Sequence, residues 1–451
     1  MLAQTSSDTN SNAVMFEKRV VFFVRTFNDI DHMTPLIDRY CQEQQYIVDV
    51  FCLNWEYDLF KNPNIKYLQR ETNCAISYLW RDKSEVSNIY ERIIISLIDV
   101  LHWIEDCLDD TKALGQATWI AKKVIKFGLK HSYSGLGVSK VFQQPQPEAL
   151  FFDYLNASAP RNKKLVKIAK KRGIVTFCLP HGILMYSNKY ITKSRKLVVK
   201  SDGLYFDYYF AAGLVRSHLE DRGIPMERII ELGSMRYCDV WQKIYRTKIV
   251  TDTYQGNSPL NQSCSVVMFL MQSAYNVNDQ ALLETIECVG EMEGIELVIK
   301  PHPRGMDLDA INELSRLHNS IRVLDSCSSL ALLEWADVAI AYGSSIALQA
   351  LTDNKTLIYP TYIDSNTTNF SNWNACWKVD NQTELRSAFM ELKNNRRFRP
   401  YDEKRVKALI SSIVYAGDVE DEVISKHYNF VCNVIEECGQ MEVCHQKAVT
   451  N

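Results

Sequence analysis

Short apolar runs alternate with helical periodicities along most of this chain. Arg19 to Arg25 (RVVFFVR) is an unbroken apolar run closed by charge at both ends, the form of a strand buried on both faces of a parallel sheet. A loop, TFNDIDH, follows, and then a helix through Leu36, Ile37 and Tyr40. A second strand is predicted over 46–53 and a third over 65–68. Residues 84–131 read as mostly helical. Later strands are predicted at 149–153, 174–179 and 205–211. The helix over 161–171 buries Leu165, Ile168 and Ala169 and leaves its lysines as a solvated face.

From Thr247 the chain becomes polar and carries Gly, Pro and Asn (TKIVTDTYQGNSPLNQS), which marks a linker over 247–264. A second strand–helix series then begins. Strands are predicted at 265–271, 296–300, 321–324, 338–341 and 356–359, with helices at 279–292, 309–318, 329–335 and 345–351. From Asp402 the chain is helical and is expected to fold back across the first domain. This alternation predicts an α/β protein of two doubly wound Rossmann-like domains facing a cleft. The expected division is a disordered N-terminus (1–16), an N-terminal domain (17–246) with a helical insertion (84–131), the linker (247–264), a C-terminal nucleotide-binding domain (265–400), C-terminal helices (401–438) and a tail (439–451).

Composition narrows the class. At 451 residues the chain is too long for one ordinary core. A formal net charge of −3 supplies no basic field for nucleic acid. The 13 cysteines form no CxxC and no zinc spacing, which suits reduced thiols in a cytoplasm. The first fifteen residues lack the basic and apolar regions of a signal peptide. The most apolar run, 93–104, is shorter than a membrane span and contains Asp99 and His102. A cytoplasmic protein is expected, with any membrane contact peripheral. The helix from Trp119 to His131, with Lys122, Lys123, Lys126 and Lys130, offers a basic face for such contact or for solvent alone.

Two loops carry the candidate chemistry. Lys300-Pro301-His302-Pro303-Arg304 ends a strand, and its prolines fix the backbone so that His302 stands outward. His302 can donate to a phosphate, and Lys300 or Arg304 can add charge. In the second loop a strand runs into Gly343-Ser344-Ser345, which opens a helix. Its backbone N–H groups, hydroxyls and positive helix end suit an anion, although a serine there also caps helices as a matter of course. Together the two loops suit a diphosphate or phosphodiester.

This pair, with the Ala347-Leu348 helix and the Leu357-Ile358-Tyr359-Pro360 strand, resembles GT-B-fold bacterial transferases of surface polysaccharides: sialyl- and polysialyltransferases, capsular Kdo transferases and CDP-glycerol glycerophosphotransferases. The stretch from Ala212-Gly213 to Gly233-Ser234 resembles the last N-domain segment of such enzymes. The resemblance implies that His302, Ser344 and Ser345 bind the nucleotide and phosphate of a CMP- or CDP-linked donor. Gln349 stands near the place where UDP-sugar epimerases and many GT-B transferases carry a ribose-holding glutamate, and it lacks that charge.

A catalytic base is sought in the N-terminal domain. His181, in Pro180-His181-Gly182 after a strand, titrates in the right range for proton transfer. Asp29 and Asp31, in the loop after the first strand, and Asp153, ending Leu150-Phe151-Phe152, are carboxylate candidates that partial desolvation would make more basic. No metal and no cofactor are expected beyond the nucleotide-sugar co-substrate. The expected function is transfer of a sugar, an ulosonic acid such as Kdo or sialic acid, to a surface polysaccharide or glycolipid acceptor. Alternatives are CDP-glycerol-type polyol-phosphate transfer, UDP-sugar 2-epimerisation, and a non-catalytic subunit of a polysaccharide assembly complex.

Overall fold

The computed structural model describes residues 18–43, 45–54, 57–79, 96, 137–153, 157, 160–180, 182, 183, 186, 204–256, 264–271, 277–302, 307–417 and 422–449. The expected N-terminal segment and nearly all of the 84–131 insertion, including the basic helix, lie outside them.

Among the described residues the first sheet has seven strands: β1 (Lys18–Val24), β2 (Tyr46–Cys52), β3 (Ala75–Tyr78), β4 (Ala149–Phe152), β5 (Val175–Cys178), β6 (Tyr208–Ala211) and β7 (Ile229–Glu231). Their order is β3-β2-β1-β4-β5-β6-β7. The second sheet has β8 (Cys264–Phe269), β9 (Ile295–Lys300), β10 (Ile321–Val323), β11 (Val338–Ala341), β12 (Thr356–Pro360) and β13 (Trp377–Val379), in the order β10-β9-β8-β11-β12-β13. Each is the doubly wound plan predicted from the strand–helix alternation.

The intervening helices are α1 (Phe27–Gln42), α2 (Pro63–Glu71), α3 (Val138–Val141), α4 (Pro160–Lys171), α5 (Val215–Asp221) and α6 (Asp239–Ile244). In the second series come α7 (Asp279–Gly290), α8 (Asp309–Leu317), α9 (Ser329–Trp335), α10 (Ile346–Thr352) and α11 (Asn369–Asn372). Three more, α12 (Gln382–Asn394), α13 (Glu403–Val414) and α14 (Val423–Val449), complete the chain. The last runs through the segment expected to be a tail.

Two expectations are corrected. Residues 65–68 are helix, not strand: Pro63 opens α2 and the Asn62 side chain accepts from the N–H groups of Asn64 and Ile65. The third strand is Ala75–Tyr78 instead. TFNDIDH is not a loop either, because α1 begins at Phe27.

By compactness the chain falls into two units. One comprises Met1–Leu179, Asp202–Tyr208 and Ile424–Asn451, and the other Pro180–Ser201 and Tyr209–Val423. In the first unit, β1 and β4 align with Phe22 opposite Phe151. Their rings stack at 4.3 Å, and Phe151 stacks on Phe177 of β5 at 5.2 Å. All three are fully buried. The C-terminal helix returns here, as expected: the Tyr428 ring lies 4.9 Å from that of Tyr40, and Arg39 stands 4.8 Å above it. In the second unit Val266, Val267, Leu297, Val298, Val338 and Ala339 make a sheet interior with no exposed surface.

Because Phe151 joins three strands, Phe151→Ala should cost about 3–5 kcal/mol. Chemical denaturation should show the transition of the first unit moving to lower denaturant.

Candidate functional site

Parallel pairing sends every strand of a sheet to the same edge, and the strand order reverses between β1 and β4 and again between β8 and β11. Such switch points are where doubly wound sheets bind ligands. The sequence candidates fall at both.

In the first unit Arg25 leaves the end of β1 and Asp153 leaves the end of β4. Arg25 Nε donates to Asp153 Oδ2 at 3.0 Å, and a second guanidinium nitrogen contacts the same oxygen. Arg25 Nε also lies 3.3 Å from Asp29 Oδ2. That oxygen further accepts the backbone N–H groups of Arg25 (2.9 Å) and Thr26 (3.2 Å), the N3 half of a capping box at the start of α1. The Asp29 and Asp153 side chains are 0% and 3% exposed, against 26% for Arg25. Two of the three carboxylate candidates are therefore counter-ions of one arginine, and Arg25 is the member open to solvent. Asp31 stands apart, buried in the first turns of α1, where it accepts from Asn64 Nδ2 at 3.4 Å. His181 lies outside the described residues, one position beyond Pro180. The strand before it continues its pairing up to Leu179, whose N–H donates to the Phe152 carbonyl at 2.7 Å.

In the second unit β9 and β11 flank β8, so the Lys-Pro-His-Pro and Gly-Ser-Ser loops open on one edge, on either side of the β8 end. Gly343 has φ +69°, and a Cβ there would lie 1.6 Å from the Tyr186 hydroxyl, so a tyrosine is seated directly on the turn. The Ser345 side chain makes no capping hydrogen bond, and neither it nor Ser344 donates or accepts through its hydroxyl among the described residues. Both are half-exposed. The helix they open has only seven residues, so the hydroxyls and backbone N–H groups matter more here than a helix dipole. His302 is half-exposed at the sister loop, and Arg304 lies outside the described residues.

Two donor candidates have other engagements. Lys300 Nζ donates to the Asp325 carbonyl at 2.5 Å, and burial lowers its pKa. Gln349 is 3% exposed, and its amide donates to Thr352 Oγ1 (3.1 Å) and Asp353 Oδ1 (3.0 Å). Asp353 in turn holds Arg246 through both carboxylate oxygens at 2.7 Å. A glutamate at 349 would set two carboxylates against each other, so the local network itself calls for an amide.

Sequence reasoning missed Arg25, Tyr186 and the Tyr359–Asp364–Asn366 cluster after β12. Arg25 had a signal, a charge ending an apolar strand. The others depend on contacts remote in sequence. Among the described residues no three His, Cys, Asp or Glu side chains are grouped to hold a metal ion.

Arg25→Met should remove the cation shared by two buried carboxylates and cost on the order of 3 kcal/mol, measured as a fall in the urea midpoint. Arg25→Lys should recover only part of it, since an ammonium lacks the guanidinium fork. Gly343→Ala should cost about 1–2 kcal/mol in backbone strain alone, and a crystal structure should show Tyr186 displaced.

No protein-family model matches this chain, and no curated protein matches its sequence. Solved structures do. The MnaA–UDP co-structure of S. aureus aligns over 93% of this chain and 97% of its own, with TM-score 0.54 and 13% identity. The putative UDP-N-acetylglucosamine 2-epimerase of Listeria monocytogenes covers 87% and 95%, with TM-score 0.52 and 12% identity. The glycotransferase of kitacinnamycin covers 88% and 95%, with TM-score 0.50 and 13% identity. What they share with this chain is the fold: two doubly wound α/β domains of the GT-B type.

Proposed function

We propose that this chain is an enzyme acting on a nucleotide-activated sugar, whose diphosphate sits over the ends of β8, β9 and β11. The observation that carries this reading is the pair of unengaged hydroxyls, Ser344 and Ser345, at the switch point of the second sheet. The likeness in fold to a UDP co-structure supports it. Ser344, Ser345 and His302 are the proposed phosphate ligands. They would stabilise the charge that develops as a sugar–phosphate bond loosens. Arg25 engages Asp29 and Asp153, so we assign proton transfer to His181 or Asp31.

Within this class, 2-epimerisation of a UDP-linked sugar is our first reading, because epimerases recur among the structures of like fold. Transfer to a glycan acceptor is the second, and the kitacinnamycin glycotransferase favours it. The ulosonic-acid donor and its CMP carrier, the polyol-phosphate variant, a polysaccharide or glycolipid acceptor and a place in an assembly complex rest on the Lys-Pro-His-Pro and Gly-Ser-Ser resemblance. Gln349 no longer weighs against uridine, since Asp353 explains it.

A thermal-shift panel of UDP, CDP, CMP and GDP tests the reading. A ligand at ~100 times its Kd should stabilise the protein by about 2.7 kcal/mol. Ser344→Ala and Ser345→Ala should each weaken binding by roughly tenfold, the worth of a hydrogen bond to a charged group. With UDP-N-acetylglucosamine, proton NMR should show either inversion at C2 with the nucleotide retained, or nucleotide release that requires an acceptor. Silence toward all four nucleotides would overturn the proposal and favour a non-catalytic subunit.

A further inference from the structure

The loop after β12 holds a hydrogen-bonding arrangement that is one proton short if its acid is ionised. Tyr359 Oη lies 2.9 Å from Asp364 Oδ1 and 2.8 Å from the Asn366 carbonyl oxygen. An ionised carboxylate and a carbonyl both only accept, and a phenol has a single proton to donate. Asp364 Oδ1 also accepts the Asn366 N–H at 3.3 Å. Its Oδ2 is buried without a hydrogen-bond partner, and the residue is 6% exposed. An unpaired buried charge is far more costly than an unpaired buried carbonyl.

Beyond those hydrogen bonds, the described surroundings offer no opposite charge. Tyr359 of β12 hydrogen-bonds the carboxyl group, and Tyr342, just past β11, lies within its electrostatic reach. Tyr186 and Cys376 lie within electrostatic reach of Tyr359, and Asp279 at the start of α7 within reach of Tyr342. Among the described residues no cation acts on Asp364, and burial raises its pKa. Adding a proton resolves the count. The carboxyl O–H then donates to Tyr359 Oη, and Tyr359 donates onward to the Asn366 carbonyl.

The same loop holds the neighbouring segments. Asp364 bridges to Val277, and the Asn278 N–H donates to the Ile363 carbonyl at 2.7 Å. Thr368 bridges to Tyr186, the residue seated on Gly343. We infer that Asp364 is a positioning residue that works as a neutral carboxylic acid, locking loop 361–368 and, through Tyr186, the turn that presents Ser344 and Ser345. The effect on the turn's ligand rests on the donor-site proposal. The proton on Asp364 is a property of the ligand-free protein.

A carboxyl whose folded pKa lies above its unfolded value of about 3.9 contributes stability that is complete below that value. The contribution is lost as pH rises through the folded pKa. Ligand-free wild type and Asp364→Asn are melted side by side from pH 4 to 9, so that other titrating groups cancel in the difference. Asparagine supplies a donor and an acceptor in the shape of the neutral acid. The expected result is equal melting temperatures at acid pH, with the wild type falling behind the variant as pH rises. Carbon-13 NMR of aspartate-labelled wild type, with Asp364 assigned by its absence from the variant, should show a carboxyl midpoint displaced upward. A second assignment through Tyr359→Phe serves if the first variant does not fold. A carboxyl that titrates at or below about 4, or a variant already destabilised at acid pH with the wild-type slope, overturns the inference.

For the nucleotide that binds best, apparent Kd should rise about tenfold per pH unit above the folded pKa in wild type and stay flat in Asp364→Asn. A flat profile in both proteins removes the link to the turn. If wild type binds no nucleotide at any pH, the donor site fails, and the Asp364 inference is decided by the ligand-free titration alone.

Discussion

Every described pairing between named strands in this chain is parallel, so each sheet gathers its strand ends on one edge and must be covered on both faces. The apolar character of the strands follows from that, as does the placement of polar chemistry. Arg25, Asp153, His302 and Gly343 all lie within three residues of a strand's carboxyl end. Polar side chains there avoid the sheet interior, where Phe22, Phe151 and Val298 have no exposed surface. Each edge is thus a part of its unit where charge and hydroxyl groups can converge without opposing the core.

The two edges use that freedom differently. At β1 and β4 the charges are already matched to one another, with two buried carboxylates closing on a single guanidinium. Such a cluster is costly to break, because removing one partner leaves buried charge behind. At β11 the opposite holds. Two half-exposed serine hydroxyls have no hydrogen-bond partner among the described residues, on a turn made possible by a glycine at φ +69° and braced by Tyr186. Unspent donors on a braced turn are the feature a phosphate requires, since little ordering remains to oppose binding.

The strands were legible because burial on both faces leaves an unbroken apolar run. RVVFFVR, VVMF and VAIA needed no partner to be recognised. Failures came where turn chemistry was overlooked or where the signal lay elsewhere in the chain. Asn62-Pro63 announces a helix start, yet Ile65 and Leu68 read as a strand when only their hydrophobicity was weighed. Asp29 looked like a loop carboxylate, although Thr26 three residues before it is a helix-start signal. The strands Ile229–Glu231 and Trp377–Val379 are three residues long and carry too little pattern to stand out. The site divides along the same line. The Gly-Ser-Ser turn is local and could be read, whereas the seat of Tyr186 on Gly343 spans more than 150 positions and could not.

Residue 349 shows how a family expectation and a local network can be told apart. An amide in place of a carboxylate suggested a different nucleotide as long as only the ligand side was considered. Its actual neighbours are Thr352 and Asp353, and Asp353 is already bound to Arg246. Arg246 already serves two acids, Asp353 and Glu334, and a glutamate at 349 would add a third, at a position 3% exposed where an extra charge is most costly. Asp364 poses the same problem two strands' length away in sequence, and the chain meets it differently. Among the described residues no arginine stands beside that acid, and a proton on it lets the hydroxyl of Tyr359 serve the carbonyl of Asn366. At this end of the second sheet, then, a carboxyl group is accommodated either by a paired cation or by keeping its proton.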